Sequence, residues 1–200
     1  MIPDIRGQPI TDVRVVDGGW PEFAGRCGEL EMFVRQPTPE DNGKIIAGAQ
    51  RVSAWTRERY EMRNLPTLKE DDPKHIWDWP PFQPGQTGWF FVVMVVNDAV
   101  VGFGRHHYQQ GDHQAMKWYD CPAGDMVAEC SLCVVDDLQG KGLGSLYGQI
   151  NKLVCKTMGA KWLVGTTYTK GAMMRIRHRD GFDVTWVSDD GTQCRVRGKL

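Results

Sequence analysis

Residues 130–144 read CSLCVVDDLQGKGLG, and Leu146, Tyr147, Ile150, Leu153, Val154 and Met158 follow at three- and four-residue steps. An uncharged apolar run, a glycine-rich turn and an amphipathic repeat predict a buried strand, a tight turn and a helix. This order narrows the possible folds because it builds an anion site. The first turn of a helix leaves its backbone N–H groups unpaired, and the helix dipole adds partial positive charge there. Glycines let that backbone approach a phosphate that a Cβ would hold off.

Three phosphate-binding turns compete for the stretch. A P-loop requires G-x-x-x-x-G-K-[ST], but Gly142 follows Gly140-Lys141 where Ser or Thr should stand. A dinucleotide fingerprint requires G-x-G-x-x-G, and Ser145 occupies its third glycine position. The pattern that fits is Q/R-x-x-G-x-G/A, at Gln139, Gly142 and Gly144, preceded by Val134-x-Asp136-Asp137. It resembles motif A of the GNAT superfamily of acyl-CoA-dependent N-acyltransferases. The resemblance spans about residues 30–198 and implies an α/β (α+β) GNAT fold. That fold has a central mixed, mostly antiparallel sheet, splayed at the motif A strand and flanked by about four helices.

Two hundred residues suit one domain large enough to bury a core. The reading here is an N-terminal extension over 1–29 and a GNAT domain over 30–200, with a Pro/Trp-rich loop insertion over 64–88. At 41% hydrophobic and 24% charged the chain is globular. A net charge of −1 gives no broad electrostatic case for nucleic acid or an anionic membrane. No apolar run is long enough to span a bilayer, and MIPDIRGQPITD lacks the features of a signal peptide. A cytoplasmic protein with reduced thiols is therefore expected.

In chain order, ITDVRVV alternates weakly as a strand would, and residues 1–29 are an added strand or a docking arm. Leu30 opens a strand. Thr38 then reads as a helix N-cap, with Pro39 at the first helical position and Glu40 and Asp41 in the first turn. A second helical stretch, about 49–63, carries Val52, Trp55, Tyr60 and Met62. Over 64–88 regular patterns stop, and five prolines appear among Trp77, Trp79 and Phe82. A loop this long is a lid or wall over the acceptor, a packed surface loop, or a patch for a partner chain. Trp89–Val96 is a continuous apolar strand, Asn97-Asp98 a turn, and Ala99 onward the return strand of a hairpin.

Two groupings raise a metal reading. Cys130 and Cys133 are spaced C-x-x-C, but residues three apart on a strand point to opposite faces, so these cysteines read as small buried hydrophobes. His106 and His107 are adjacent and face opposite sides as well. No metal is expected, and His107 lines an acceptor pocket or meets solvent. Residues 112–124 read as a polar connection.

Glu129 is a carboxylate in an otherwise apolar strand. Burial would raise its pKa toward a value suited to a general base; the alternative is a strand-end carboxylate paired with a lysine or arginine. Trp162–Tyr168 is a strand parallel to that of motif A, joined through the intervening helix. The segment from Lys170 to Phe182 resembles motif B in its closing Gly181-Phe182. Lys170 and Arg177 stand where asparagine and tyrosine are usual. The basic run Arg175, Arg177, His178 and Arg179 is a phosphate contact or a solvated helix face.

The resemblance implies a mechanism. Acetyl-CoA would place its pyrophosphate on Gln139, Gly140, Lys141, Gly142, Leu143, Gly144 and Ser145, and its pantetheine arm beside the backbone of Cys133, Val134 and Val135. A backbone N–H of Val134 or Val135 would polarise the thioester. Glu129 would take the proton of a primary amine that attacks directly. Arg177 would stabilise the departing thiolate, or Tyr168, Tyr147, His178 or solvent would protonate it, and Trp77, Trp79 and His107 would face the acceptor. That acceptor is a small molecule or a protein amine, and a homodimer is compatible with the family. The rival readings are modification of a nucleic acid base and a non-catalytic module that binds acyl-CoA or a partner.

Overall fold

The computed structural model describes residues 2–16, 22–59 and 83–200. Strands β1 (Ile10–Val16), β2 (Glu22–Cys27) and β3 (Leu30–Arg35) come first, then helices α1 (Asn42–Gln50) and α2 (Ala54–Arg59). Strands β4 (Gly88–Val96), β5 (Ala99–Gln110) and β6 (Met126–Val134) precede helix α3 (Leu143–Thr157). Strand β7 (Trp162–Tyr168), helix α4 (Ala172–Arg179) and strands β8 (Asp183–Val187) and β9 (Gln193–Lys199) complete the chain. The strands form one sheet in the order β1-β2-β3-β4-β5-β6-β7-β9-β8, with β6 and β7 parallel. This is the mostly antiparallel α/β architecture expected. No helix among the described residues is long and apolar enough to cross a membrane.

Two compact units share the chain. One holds the described residues up to 59 with Phe90–Arg105 and Ser131–Leu153. Its core is built from Phe23, Met32, Ile45, Met94, Phe103, Leu146 and Ile150, all buried. Gly25 lets α3 approach β2, because a Cβ there would lie 2.7 Å from Cγ1 of Ile150. The β4–β5 turn needs left-handed backbone at Asn97 and Asp98, and both have positive φ (48° and 60°). Thr38 precedes a 3-10 turn over Pro39–Asp41, and the Asp41 carboxylate accepts the Thr38 N–H at 2.8 Å. The same carboxylate accepts a two-pronged bond from Arg35, at 2.5 and 2.7 Å. Burial pushes the Asp41 carboxyl up, but the Arg35 and Thr38 bonds outweigh it and hold it below the ordinary value.

The second helix, expected over about 49–63, starts later than that, and residues 60–63 lie outside the described residues. Arg51, Val52 and Ser53 form a turn, and α2 starts at Ala54 because the Ser53 hydroxyl accepts the Thr56 N–H at 3.3 Å. Trp55 on this helix is 60% exposed.

The other unit holds residues 83–89, His106–Cys130 and Val154–Leu200. Met116, Tyr119, Val127 and Val164 form a buried cluster against which Cys121 and Trp162 pack. The β6–β7 ladder pairs Val127 with Trp162, Ala128 with Leu163 and Glu129 with Val164, and ends there. Strand β7 continues to Tyr168 against β9, as far as Gln193. The parallel pairing therefore stops at Glu129, the one carboxylate of β6.

Candidate active site

Strand β6 leaves its ladder and enters a short 3-10 turn over Asp136–Leu138, then the glycine turn, then α3. Gly140 and Gly142 both take left-handed backbone (φ 77° and 97°), which only glycine adopts without strain. The Gln139 side chain ties the turn down by donating to the Val134 carbonyl at 2.9 Å and to Asp136 at 3.2 Å. The Gly142 carbonyl accepts the N–H groups of Ser145 (2.9 Å) and Leu146 (3.2 Å). Among the described residues, the N–H groups of Gly140, Lys141, Gly142, Leu143 and Gly144 have no acceptor. A Cβ at Gly140 would meet none of the described residues within 4 Å. The turn thus presents consecutive unpaired N–H groups at the start of a 15-residue helix, and the donors suit a pyrophosphate.

Two details were not legible beforehand. The N-terminal segment braces this turn: Ile5 N–H donates to the Lys141 carbonyl at 2.9 Å, and a Cβ at Gly142 would strike Ile5. The Lys141 ammonium lies 3.5 Å from the Ile2 carbonyl. The Val135 N–H, expected to help polarise a thioester, instead donates to the Val101 carbonyl at 3.0 Å, and Val134 is the remaining member of that pair. Cys133 is fully buried, and burial, with Asp136 nearby, pushes its thiol up to about 12. Its side chain is a packing group with no thiolate to offer.

Glu129 sits in the second unit, its side chain 32% exposed. The Tyr119 hydroxyl donates to Glu129 Oε1 and lies 3.3 Å from the Thr166 hydroxyl. Burial, then the Glu129 charge and this hydrogen bond, push the Tyr119 phenol well above its ordinary value, so it stays protonated and donates. Glu129 Oε2 lies 3.9 Å from Nδ1 of His107, beyond hydrogen-bond length. That Nδ1 is buried and has no hydrogen-bond partner among the described residues. The His107 ring stacks on Trp89 at 3.8 Å, nearly parallel, and Trp89 is 42% exposed. His107 is therefore held beside the carboxylate by packing, and the solvent-exposed alternative for it is wrong.

The other expected residues lie as follows. Tyr168 ends β7 and is exposed. Arg177 on α4 stacks its guanidinium 4.4 Å above the Phe182 ring. Arg175, His178 and Arg179 are exposed, as a solvated helix face would be. Trp77 and Trp79 lie outside the described residues. Tyr119 was missed because it falls in the polar connection 112–124. Its signal was two aromatics, Trp118-Tyr119, in a segment otherwise rich in turn residues.

No family model matches the sequence, and no curated protein sequence matches it. Solved structures do match the fold. The GNAT domain of S. lividans PAT aligns with a TM-score of 0.59 at 16% identity, covering 85% of this chain and 91% of that one. A GNAT-family acetyltransferase from Listeria monocytogenes aligns with a TM-score of 0.57 at 14% identity, covering 88% and 99%. The PaiA N-acetyltransferase of Thermoplasma acidophilum, solved in complex with coenzyme A, aligns with a TM-score of 0.54 at 14% identity, covering 84% and 99%. Strand order, the ladder that ends at Glu129, the glycine turn and these alignments agree: the chain has the GNAT fold.

Proposed function

We propose that this protein is an N-acetyltransferase that moves an acetyl group from acetyl-CoA to a primary amine by direct attack. The observation that carries the reading is the run of N–H groups from Gly140 to Gly144 that have no acceptor among the described residues, at a glycine turn opening a long helix. Such a turn holds a pyrophosphate through backbone donors and the helix dipole. A protein of the same fold, PaiA, was solved with coenzyme A.

Glu129 is the proton acceptor in this reading. Tyr119 fixes Oε1, which leaves Oε2 turned toward Nδ1 of His107. A buried Nδ1 without a partner costs about 1–3 kcal/mol unless something hydrogen-bonds to it. An amine nitrogen between Oε2 and Nδ1 would satisfy that atom and lie where Glu129 can take its proton. The amine then forms the amide bond, the thioester C–S bond breaks, and CoA leaves as the thiolate. Arg177 and Tyr168 are the candidates for stabilising or protonating that thiolate, and Trp77, Trp79 and His107 for contacting the acceptor, whether small molecule or protein amine.

The test is isothermal titration of the folded protein with acetyl-CoA and with CoA, beside the Gly144→Glu variant. Gly144 has ordinary backbone, and among the described residues its Cβ would meet only Leu132, at 3.8 Å, so the change adds a carboxylate to the first helical turn without strain. Binding by the wild type that falls at least about 10-fold in the variant supports the site, since like charge at a helix start repels the phosphates. An amine screen by thiol release would follow. Folded wild-type protein that ignores both nucleotides would refute the acetyltransferase reading.

A further inference from the structure

The strand alternation that sends His107 toward Glu129 sends His106 the other way, together with Tyr108 two residues on. Both are fully buried. On that side they meet Cys130 of β6 and Cys155 of α3, residues far apart in sequence that no motif connects. The ligand atoms of His106, Cys130 and Cys155 all lie within 4.8 Å of one another. The distances within the group are specific. The two sulfurs are 3.7 Å apart, the Tyr108 hydroxyl is 3.5 Å from the Cys155 sulfur, and it is 3.2 Å from Nδ1 of His106.

A tetrahedral zinc site, with bonds of about 2.3 Å to sulfur and about 2.0 Å to nitrogen or oxygen, has fixed edges. They are about 3.8 Å between sulfurs, about 3.5 Å between sulfur and oxygen, and about 3.3 Å between nitrogen and oxygen. The three distances in the protein match these edges in order. We propose that His106 Nδ1, Cys130 Sγ, Cys155 Sγ and the Tyr108 hydroxyl form a closed site for one zinc-class divalent ion.

Charge and burial agree with this assignment. Two thiolates neutralise a divalent cation and a neutral imidazole adds no charge, so these three donors leave the ion neutral where a net charge would be costly. The His106 ring is fully buried within the cluster, so the donor is held in place by packing. Binding releases the two thiol protons to solvent. All four donors come from the protein, which leaves no position for a substrate. The ion would be structural and pin the C-terminal part of α3 to β5 and β6. It plays no part in the acyl transfer proposed above and stands or falls separately.

Because the site is sealed, loading accompanies folding. The experiment uses wild-type protein purified without chelators, and the same protein refolded from denaturant after metal removal with and without zinc or cobalt. Metal content is read by elemental analysis, and geometry by the absorption of the cobalt form. The expected result is about one zinc per chain, a cobalt form with thiolate charge-transfer and tetrahedral d–d bands, and a higher Tm for the zinc-loaded protein than for the metal-free one. Cys155→Ser and His106→Gln should lose the ion, whereas Cys121→Ser should retain it. Folded wild-type protein that neither carries nor takes up zinc or cobalt would make the cluster a hydrogen-bonded core network and overturn the proposal. Equal uptake by a folded Cys155→Ser variant would overturn it as well.

Discussion

Replacing Tyr119 by phenylalanine removes one buried oxygen and the hydrogen bond it donates to Glu129. A hydrogen bond to a charged group contributes about 1.5–3 kcal/mol. The Glu129 side chain is 32% exposed, so water replaces part of what is lost, and the expected destabilisation at neutral pH is near the low end, about 1.5 kcal/mol. The pH dependence is the sharper readout. Burial first, then the Glu129 charge and hydrogen bond, raise the phenol above its ordinary 10.0. Above that pH the unfolded chain gives up this proton while the folded chain keeps it. The folded state then binds more protons, and stability falls as pH rises, at about 1.4 kcal/mol per pH unit until the folded value is reached. Between about pH 9 and pH 11 the wild type should therefore lose about 1.4 kcal/mol more than Tyr119→Phe. Urea unfolding of both proteins, followed by tryptophan fluorescence across that range, measures the difference and cancels the other titrating groups. Parallel curves would mean that the phenol is not held against the carboxylate, and the construction of the site around Glu129 would fail with it.

Two further predictions test the remaining assignments. Glu129→Gln should lower kcat/KM for the amine about 10²- to 10³-fold while leaving acetyl-CoA affinity unchanged by titration; a smaller loss would remove Glu129 as the base. Asp41→Asn should cost about 3 kcal/mol in chemical unfolding, because it leaves the Arg35 guanidinium without its carboxylate in a largely buried pair. The depressed Asp41 carboxyl contributes stability that is complete above the ordinary carboxylate value and is lost as pH falls through its folded value. The variant should accordingly lose less stability than the wild type on acidification below about pH 4, and an equal loss would contradict the assignment.

The anion turn was readable because each of its parts is local. Apolar residues in a row, glycines at the positions that need left-handed backbone, and a three- and four-residue repeat act within 30 residues, and backbone sterics leave them few outcomes. The hairpin turn at Asn97-Asp98 and the Thr38-Pro39 start were legible for the same reason. The α1–α2 break was misplaced because periodicity runs through Val52 and Trp55, while the competing signal, a serine whose hydroxyl caps the following helix, is one residue long. The choice between the Val134 and Val135 donors was not legible because the pairing of Val135 with Val101 is a long-range event that strand propensity does not specify.

By itself the sequence determined the strand–turn–helix order, the glycines on which the anion turn depends, and a carboxylate placed on the strand that feeds it. Tertiary structure alone decided which side chains meet that carboxylate. Tyr119 arrives from a connection that looked merely polar, and His107 is fixed by stacking on Trp89. It also decided that Cys130 belongs with Cys155 and His106, and not with Cys133 three residues along its own strand. The physical reason is that alternation along a strand fixes only which face a residue takes. What it finds on that face is set by packing between segments distant in sequence, where burial and hydrogen bonding act on atoms that local propensity never brings together.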